Sequence, residues 1–136
     1  GMYISRIDGD IVTYDLRMVK PNGGRYISSP SLHTIEHLFA TYARNSFMRE
    51  RVIYVGPMGC RTGFYLLLRG MNHEAAILLV KDALKFISEY EGEIPGATEA
   101  ECGNYLEHDL AAAKEDVKAL LSALDGYTPK HLVYPQ

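Results

Sequence analysis

Long apolar runs and a large excess of either charge are both missing from this sequence. No apolar stretch approaches the roughly 20 residues that a bilayer-spanning helix requires, and no basic segment followed by an apolar one marks a signal peptide. The formal net charge is only −3, so electrostatics give no reason to expect a nucleic-acid partner. We therefore expect a cytoplasmic protein that binds neither membranes nor nucleic acid.

Cysteine is also scarce, since Cys60 and Cys102 are the two examples in 136 residues. One disulfide is arithmetically possible, but disulfides are rare in the cytosol. Both cysteines lie in glycine-containing turns and not in apolar runs, which favours a chemical role over a structural one. The length, with 47% apolar and 23% charged residues, predicts a single globular domain covering residues 1–136.

Residue patterns predict four strands and three long helices. β-branched and aromatic segments, the first two joined by an Asp8-Gly9-Asp10 hairpin turn, predict strands at residues 3–7, 11–19, 51–55 and 64–68. Apolar residues at helical spacing predict helices at residues 30–48, 73–90 and 104–124. In the first helix we expect Ser29 to be the N-cap and Pro30 to be the first helical residue.

The first predicted helix contains an H-x-x-E-H sequence, in which the polar residues are His33, Glu36 and His37. Residues four apart on a helix lie on one face with Cβ atoms roughly 5–6 Å apart, so the two imidazoles can bind one metal ion. Glu36 can then reach the open side of that ion as an acid or base without binding it. The alternative is a pair of histidines with structural partners beside a core.

Three other positions are candidates for chemistry. Cys60 lies in the glycine-dense segment 56–63, where Arg61 or a nearby metal would favour its thiolate; the alternative is a β-bulge with a small residue. Arg17 projects from the polar side of its strand, with a solvated arginine as the alternative. Cys102 precedes the predicted last helix, whose N-terminus would favour a thiolate. Two imidazoles and one thiolate with an open fourth position form the pattern of a catalytic metal.

Three stretches resemble the signature sequences of the S-ribosylhomocysteine lyases, the LuxS family. They are residues 31–37 (SLHTIEH), 56–65 (GPMGCRTGFY) and 101–105 (ECGNY). Residues 14–17 (YDLR) also resemble the strand that precedes the metal helix in that family. Each motif alone is weak, but the three in this order and spacing are highly specific. The resemblance extends from about residue 3 to the last helix.

The resemblance implies an α+β fold, with an antiparallel sheet flanked by helices, in a homodimer whose metal sites lie at the subunit interface. It implies one divalent metal per subunit, Fe2+ in the cell and Zn2+ in isolated protein. The metal ligands that it implies are His33, His37 and Cys102. Glu36 and Cys60 would be the two acid/base groups, and Arg17 would bind the substrate near Cys60.

The reaction of this family cleaves S-ribosylhomocysteine to homocysteine and 4,5-dihydroxy-2,3-pentanedione, the precursor of autoinducer-2. The resemblance therefore implies roles in homocysteine and methionine recycling and in quorum sensing. The carbon–sulfur bond breaks by β-elimination only after the carbonyl has migrated along the ribose by successive enolisations. Each enolisation needs one group that takes a proton from carbon and one that returns it.

Two departures from the family pattern accompany the resemblance. We expect that the N-terminal segment, which contributes a serine and a histidine to the substrate pocket of the family, is missing here. Tyr54 occupies a position where many members carry an aspartate, which leaves open how the homocysteine end is held. Two alternative functions also remain: an H-x-x-E-H zinc peptidase, and a metal-binding relative without turnover.

Overall fold

The protein, described for residues 1–135 by a computed structural model, consists of four strands and three long helices. The strands are β1 (Met2–Asp8), β2 (Ile11–Arg17), β3 (Val52–Pro57) and β4 (Gly63–Arg69). The helices are α1 (Ser29–Asn45), α2 (His73–Ser88) and α3 (Leu110–Ala123). Short 3-10 turns at Arg49–Arg51 and Pro129–Leu132 lie outside these elements.

The strands form one antiparallel sheet in the order β1-β2-β4-β3. One face, which we call the inner face, carries side chains such as Tyr14 and Leu66 that are buried in a common core with the helices. Because side chains alternate along a strand, Asp15, Arg17 and Tyr65 lie on the opposite, outer face. The predicted α+β class with an antiparallel sheet and flanking helices is confirmed.

The three helices pack against one another over the inner face. Their buried apolar residues join those of the sheet in one cluster that includes Phe39 of α1, Leu84 of α2 and Val117 of α3. A polar contact also connects two helices, since the hydroxyl of Ser31 donates to Oδ2 of Asp116 at 2.6 Å. Within residues 1–135, no helix combines the length and the apolar character that crossing a bilayer requires.

The boundaries of α1 differ slightly from the prediction. The N-cap is Ser28 and not Ser29, because the Ser28 side chain accepts a hydrogen bond from the backbone N–H of Ser31 at 3.3 Å. The helix ends at Asn45, earlier than the predicted residue 48. Its end coincides with Ser46, whose hydroxyl donates to the Ala43 carbonyl at 3.0 Å.

The last helix begins at Leu110, so the prediction that it begins at residue 104 is wrong. Asp109 is its N-cap and accepts a hydrogen bond from the N–H of Ala112 at 3.0 Å. Leu106, which the prediction assigned to the apolar stripe, is 80% exposed. The prediction that a helix N-terminus favours the Cys102 thiolate is therefore also wrong, because Cys102 lies in a turn well before this helix.

The C-terminal segment, residues 126–135, returns to the sheet beside β1. The hydroxyl of Tyr127 donates to the Met2 carbonyl at 2.6 Å and accepts from the Met2 N–H at 3.1 Å. Further along, the ring of Tyr134 stacks on that of Tyr3, with centroids 4.3 Å apart. This segment, for which the sequence shows no periodicity, therefore covers part of the outer face.

Gly63 lies where β2 and β4 approach each other without room for a side chain. A Cβ atom at Gly63 would lie 1.9 Å from the carbonyl oxygen of Leu16. We expect Gly63→Ala to lower the free energy of unfolding by about 1–3 kcal/mol, because the backbone must shift to accept the methyl group. Chemical denaturation measures this change. Gly59→Ala is the control, since a Cβ there meets no atom of the described chain within 4 Å; equal losses in the two variants would contradict the steric argument.

Candidate metal centre and active-site cleft

Helix α1 places His33 and His37 side by side, with ring centroids 4.6 Å apart. Nδ1 of His33 lies 2.8 Å from the carbonyl oxygen of Glu107, and Nδ1 of His37 lies 2.9 Å from that of Pro95. A carbonyl oxygen can only accept, so each Nδ1 donates its proton and each neutral ring keeps a lone pair on Nε2. Metal-binding histidines are commonly oriented by such contacts.

Cys102 faces the two free ring nitrogens. Its Sγ lies 3.3 Å from Nε2 of His33 and 3.8 Å from Nε2 of His37. A turn fixes the position of the cysteine, because its backbone N–H donates to the Thr98 carbonyl at 2.9 Å. Both cysteines of the chain are free thiols, as expected. The structure thus brings together the three residues that were predicted to bind metal.

The loop that supplies the Pro95 carbonyl approaches His37 very closely at Gly96. Gly96 has a φ of +73°, and a Cβ atom there would lie 3.3 Å from Nδ1 of His37. Glycine adopts this left-handed conformation without the strain that other residues incur. The glycine therefore allows the loop to close against the imidazole.

A third histidine, which was not among the predicted site residues, belongs to the same cluster. The ring of His108 stacks on His33 with centroids 4.0 Å apart, and its Nδ1 lies 3.0 Å from the hydroxyl of Thr34. Burial, together with repulsion from His33 and His37, lowers the pKa of His108 to about 4, so its ring is neutral at pH 7. No local spacing signals His108, because its partner Thr34 lies 74 residues earlier in the chain, and the predicted helix at 104–124 placed it inside a regular element.

The residues of this cluster fit a divalent metal ion. Each of the four residues offers one ligand atom, and all four atoms lie within 4.8 Å of one another. The residues are His33, His37, Cys102 and His108. Imidazole nitrogen and thiolate sulfur are donors that zinc, iron and cobalt all accept. The cluster also contains a buried Nε2 atom, on His108, without a hydrogen-bond partner among the described residues. Such atoms are rare in proteins, and a bound group in the cluster would explain this one.

Glu36 lies on α1 between two concave surfaces. One is a cleft of about 440 Å³ shared with His33 and with Met58 and Gly59 of the β3–β4 loop. The other, of about 420 Å³, contains His37 and Arg44. A more apolar groove of about 460 Å³ between α1 and α2 contains none of the predicted site residues. Convergent polar and titratable groups mark a reactive site better than apolar volume does, so the cleft beside Glu36 is the candidate active site.

Cys60 follows Gly59 in the loop and contacts two polar side chains. Its Sγ lies 3.1 Å from the hydroxyl of Thr62 and 3.8 Å from Nη1 of Arg17, which itself donates to that hydroxyl at 2.6 Å. The hydrogen bond with the Thr62 side chain is the main cause that lowers the pKa of the Cys60 thiol; burial opposes it, and the backbone of Thr62 and then Arg17 lower the pKa further. Thr62, like His108, was not predicted as a site residue.

Arg17 is held in this network and is not a solvated side chain. Its side chain is 24% exposed, and Nε donates to the hydroxyl of Tyr134 at 3.2 Å. The alternative of a solvated arginine does not fit these contacts. Arg17 therefore provides a fixed positive charge close to Cys60.

Comparison with known proteins agrees with the geometry. Residues 3–130 match the family model described as S-Ribosylhomocysteinase (LuxS). A protein of Phocaeicola vulgatus named S-ribosylhomocysteine lyase is 45% identical over 142 positions, which cover 99% of this chain and 88% of the relative. Proteins of the same name from Porphyromonas gingivalis and Clostridium acetobutylicum are 46% and 43% identical, covering 99% and 100% of this chain and 89% and 90% of the relatives.

These similarities extend over nearly the whole chain, and the matched residues 3–130 span the positions of all three motifs. They do not favour the alternative of an H-x-x-E-H peptidase. The chain belongs to the S-ribosylhomocysteinase (LuxS) family.

Proposed function

We propose that this protein is a metal-dependent S-ribosylhomocysteine lyase, which releases homocysteine and 4,5-dihydroxy-2,3-pentanedione, the precursor of autoinducer-2. The observation that carries the proposal is the convergence of Nε2 of His33, Nε2 of His37 and Sγ of Cys102 beside the cleft that contains Glu36. The nearly full-length similarity to proteins named S-ribosylhomocysteine lyase supports the substrate. Homocysteine recycling and a supply of signal precursor would follow from this reaction.

His33, His37 and Cys102 would hold one divalent ion per subunit, Fe2+ in the cell and Zn2+ in isolated protein. When bound, such an ion supplies a Lewis acid that acts on the oxygen atoms of the sugar. The carbonyls of Glu107 and Pro95 keep the two imidazoles oriented towards the ion. His108 would support His33 by stacking on it as a neutral ring.

Cys60 and Glu36 would carry the protons of the reaction. In each enolisation one of them takes a proton from a ribose carbon and the other returns one to the neighbouring carbon, so the carbonyl migrates without net oxidation. In the last step one of them takes the proton from the carbon between the carbonyl and the carbon that holds sulfur, and a carbon–carbon double bond forms as the carbon–sulfur bond breaks. The electron pair of that bond leaves with sulfur, which takes up a proton and departs as homocysteine. Thr62 and the charge of Arg17 favour the Cys60 thiolate that acts as base.

The chain would act as a single-domain cytoplasmic protein that forms a homodimer with its sites near the subunit interface. The outer face of the sheet supports the dimer, because Tyr54 and Tyr65 are 52% and 40% exposed on it. Exposed aromatic side chains that share a sheet face are typical of a surface that binds another protein. A second copy of the chain on this face would lie next to the network of Arg17 and Cys60.

Replacement of the Cys102 sulfur tests the proposed ligands. In protein loaded with Co2+, a thiolate ligand produces a near-ultraviolet charge-transfer absorption that a serine cannot produce. We expect Cys102→Ser to lose this absorption and to bind the ion at least about tenfold more weakly. Cys60→Ser is the matched control and should keep both properties. Retention of the absorption in Cys102→Ser would remove Cys102 from the ligand set.

Replacement of the two proton carriers tests the chemistry. We expect Glu36→Gln and Cys60→Ala to keep their metal content but to release free thiol from S-ribosylhomocysteine at least about 100-fold more slowly, since each lacks one of the two required proton carriers. Glu115→Gln, which changes an exposed carboxylate on α3, is the control and should react at the parent rate. Absence of thiol release from the metal-loaded parent would refute the lyase, and a full rate in either variant would remove that residue from the mechanism.

Sedimentation at micromolar concentration tests the dimer. We expect the parent to sediment as a species of twice the 15.2 kDa chain mass. Tyr65→Asp should shift the population towards monomer, because a buried unpaired charge at an interface is costly. Leu78→Asp places the same charge on an exposed position of α2 and should leave the dimer intact. A monomeric parent would contradict the shared interface.

A further inference from the structure

The C-terminal segment inserts one hydroxyl group into the polar network on the outer face. The hydroxyl of Tyr134 donates to Oδ2 of Asp15 and accepts from Nε of Arg17 at 3.2 Å. The ring is held in place by its stacking on Tyr3. Tyr134 therefore contacts two side chains of β2 although it lies 117 residues after Arg17 in the chain.

Arg17 has two competing partners on this face. One is the carboxylate of Asp15, a residue only 5% exposed. Direct pairs between a guanidinium and a carboxylate are among the strongest hydrogen-bonded contacts in proteins. Yet the closest approach of Nη2 to Oδ2 is 4.0 Å. Nη1 instead donates to Thr62 at 2.6 Å and lies 3.8 Å from the sulfur of Cys60.

The position of the Tyr134 hydroxyl explains this choice. It contacts the same Oδ2 of Asp15 that lies nearest to Nη2 of Arg17, and it also accepts the Nε proton of Arg17. One hydroxyl can serve both groups because it has one proton to donate and lone pairs to accept. Asp15 thus has a hydrogen-bond donor that carries no positive charge, and the guanidinium remains turned towards Thr62 and Cys60.

We propose that Tyr134 is a positioning residue that separates Arg17 from Asp15 and so keeps the guanidinium charge beside the Cys60 thiol. The contribution to catalysis rests on the proposed role of Cys60 in the lyase reaction. Tyr134 acts only through Arg17 and Thr62, and its effect is to increase the fraction of Cys60 that is present as thiolate.

The protonation states of the network agree with this arrangement. Burial, followed by the hydrogen bond to Asp15, raises the pKa of Tyr134, so its hydroxyl keeps the proton that it donates. The pKa of Cys60 is lowered, first by Thr62 and then by Arg17. A thiol whose pKa is lowered in this way loses thiolate at neutral pH when its positive neighbour moves away.

Alkylation of Cys60 measures its thiolate directly. In Tyr134→Phe we expect Arg17 to pair with Asp15 and the pKa of Cys60 to rise by about half a unit, so that alkylation by iodoacetamide at pH 7 becomes about threefold slower. The full pH profile of the rate, followed by mass spectrometry of the peptide that contains Cys60, separates this thiol from Cys102. A profile identical to that of the parent would overturn the proposal.

Tyr127→Phe is the matched control, because it removes a hydroxyl of the same C-terminal segment that contacts backbone atoms and Tyr3 but neither Arg17 nor Asp15. It should change thermal stability but not the alkylation profile of Cys60. Equally slow alkylation of Cys60 in both variants would mean that the packing of the C-terminal segment on the sheet matters and not the Tyr134 hydroxyl, and it would overturn the proposal. Dimer content is measured for each variant in the same samples, and slowing that only accompanies dissociation would likewise overturn the proposal.

A second substitution tests the competition itself. Asp15→Asn in the Tyr134→Phe background removes the carboxylate that would capture Arg17, and it should restore the alkylation rate towards that of the parent. No recovery would exclude Asp15 as the competitor. Alkylation requires neither bound metal nor turnover, so a parent without lyase activity would refute the proposed function and leave this inference standing. If the parent is an active lyase but the alkylation profile of Cys60 is the same in Tyr134→Phe as in the parent, only the inference is refuted.

Discussion

Two backbone carbonyls determine the geometry on which the candidate metal centre depends. The carbonyls of Pro95 and Glu107 accept the Nδ1 protons of His37 and His33, and this leaves both Nε2 lone pairs facing Cys102. Both carbonyls and the cysteine belong to one irregular segment between α2 and α3. The segment thus supplies the sulfur and also sets the tautomer and orientation of the two imidazoles. Local turns shape this segment, and contacts with α1 hold it in place, among them the contacts of the Thr34 hydroxyl with His108 and with the N–H of Asp109.

The two faces of the sheet serve different parts of the site. The inner face is apolar and fixes α1 through the common core, which sets the position of the two histidines. The outer face carries a polar network. Thr62 contacts the Cys60 thiol, Arg17 donates to Thr62, and Tyr134 accepts from Arg17. The β3–β4 loop connects these parts, because Met58 and Gly59 line the cleft of Glu36 and Cys60 follows directly. Cys60, the proposed acid/base group, and Cys102, the proposed metal ligand, thereby lie in separate environments within one small protein.

Periodicity in the sequence predicted the elements that bury a continuous apolar face. The strands and helices α1 and α2 fall where alternation or helical spacing placed them, with end shifts of a few residues that depend on local caps such as Ser28. The predicted start of α3 was wrong because Leu106 and Leu110 are spaced as on one helix face. In the structure, hydrogen bonds with Thr34 hold residues 108 and 109 outside the helix. Spacing within one helix could indicate His33 and His37. No periodicity could indicate that His108 or Tyr134 returns to them or to Arg17 from distant parts of the chain.

The ligand arrangement has a consequence for how an ion enters or leaves. Two candidate ligands belong to a helix that is anchored in the core, while Cys102 and the orienting carbonyls belong to a surface segment without helix or strand. Local opening of such a segment requires far less free energy than global unfolding. Metal exchange would therefore need only a transient detachment of residues 95–108 from α1, with both imidazoles left in place as a docking point. The lifetime of the bound ion would then be set by the dynamics of one loop and not by the stability of the fold.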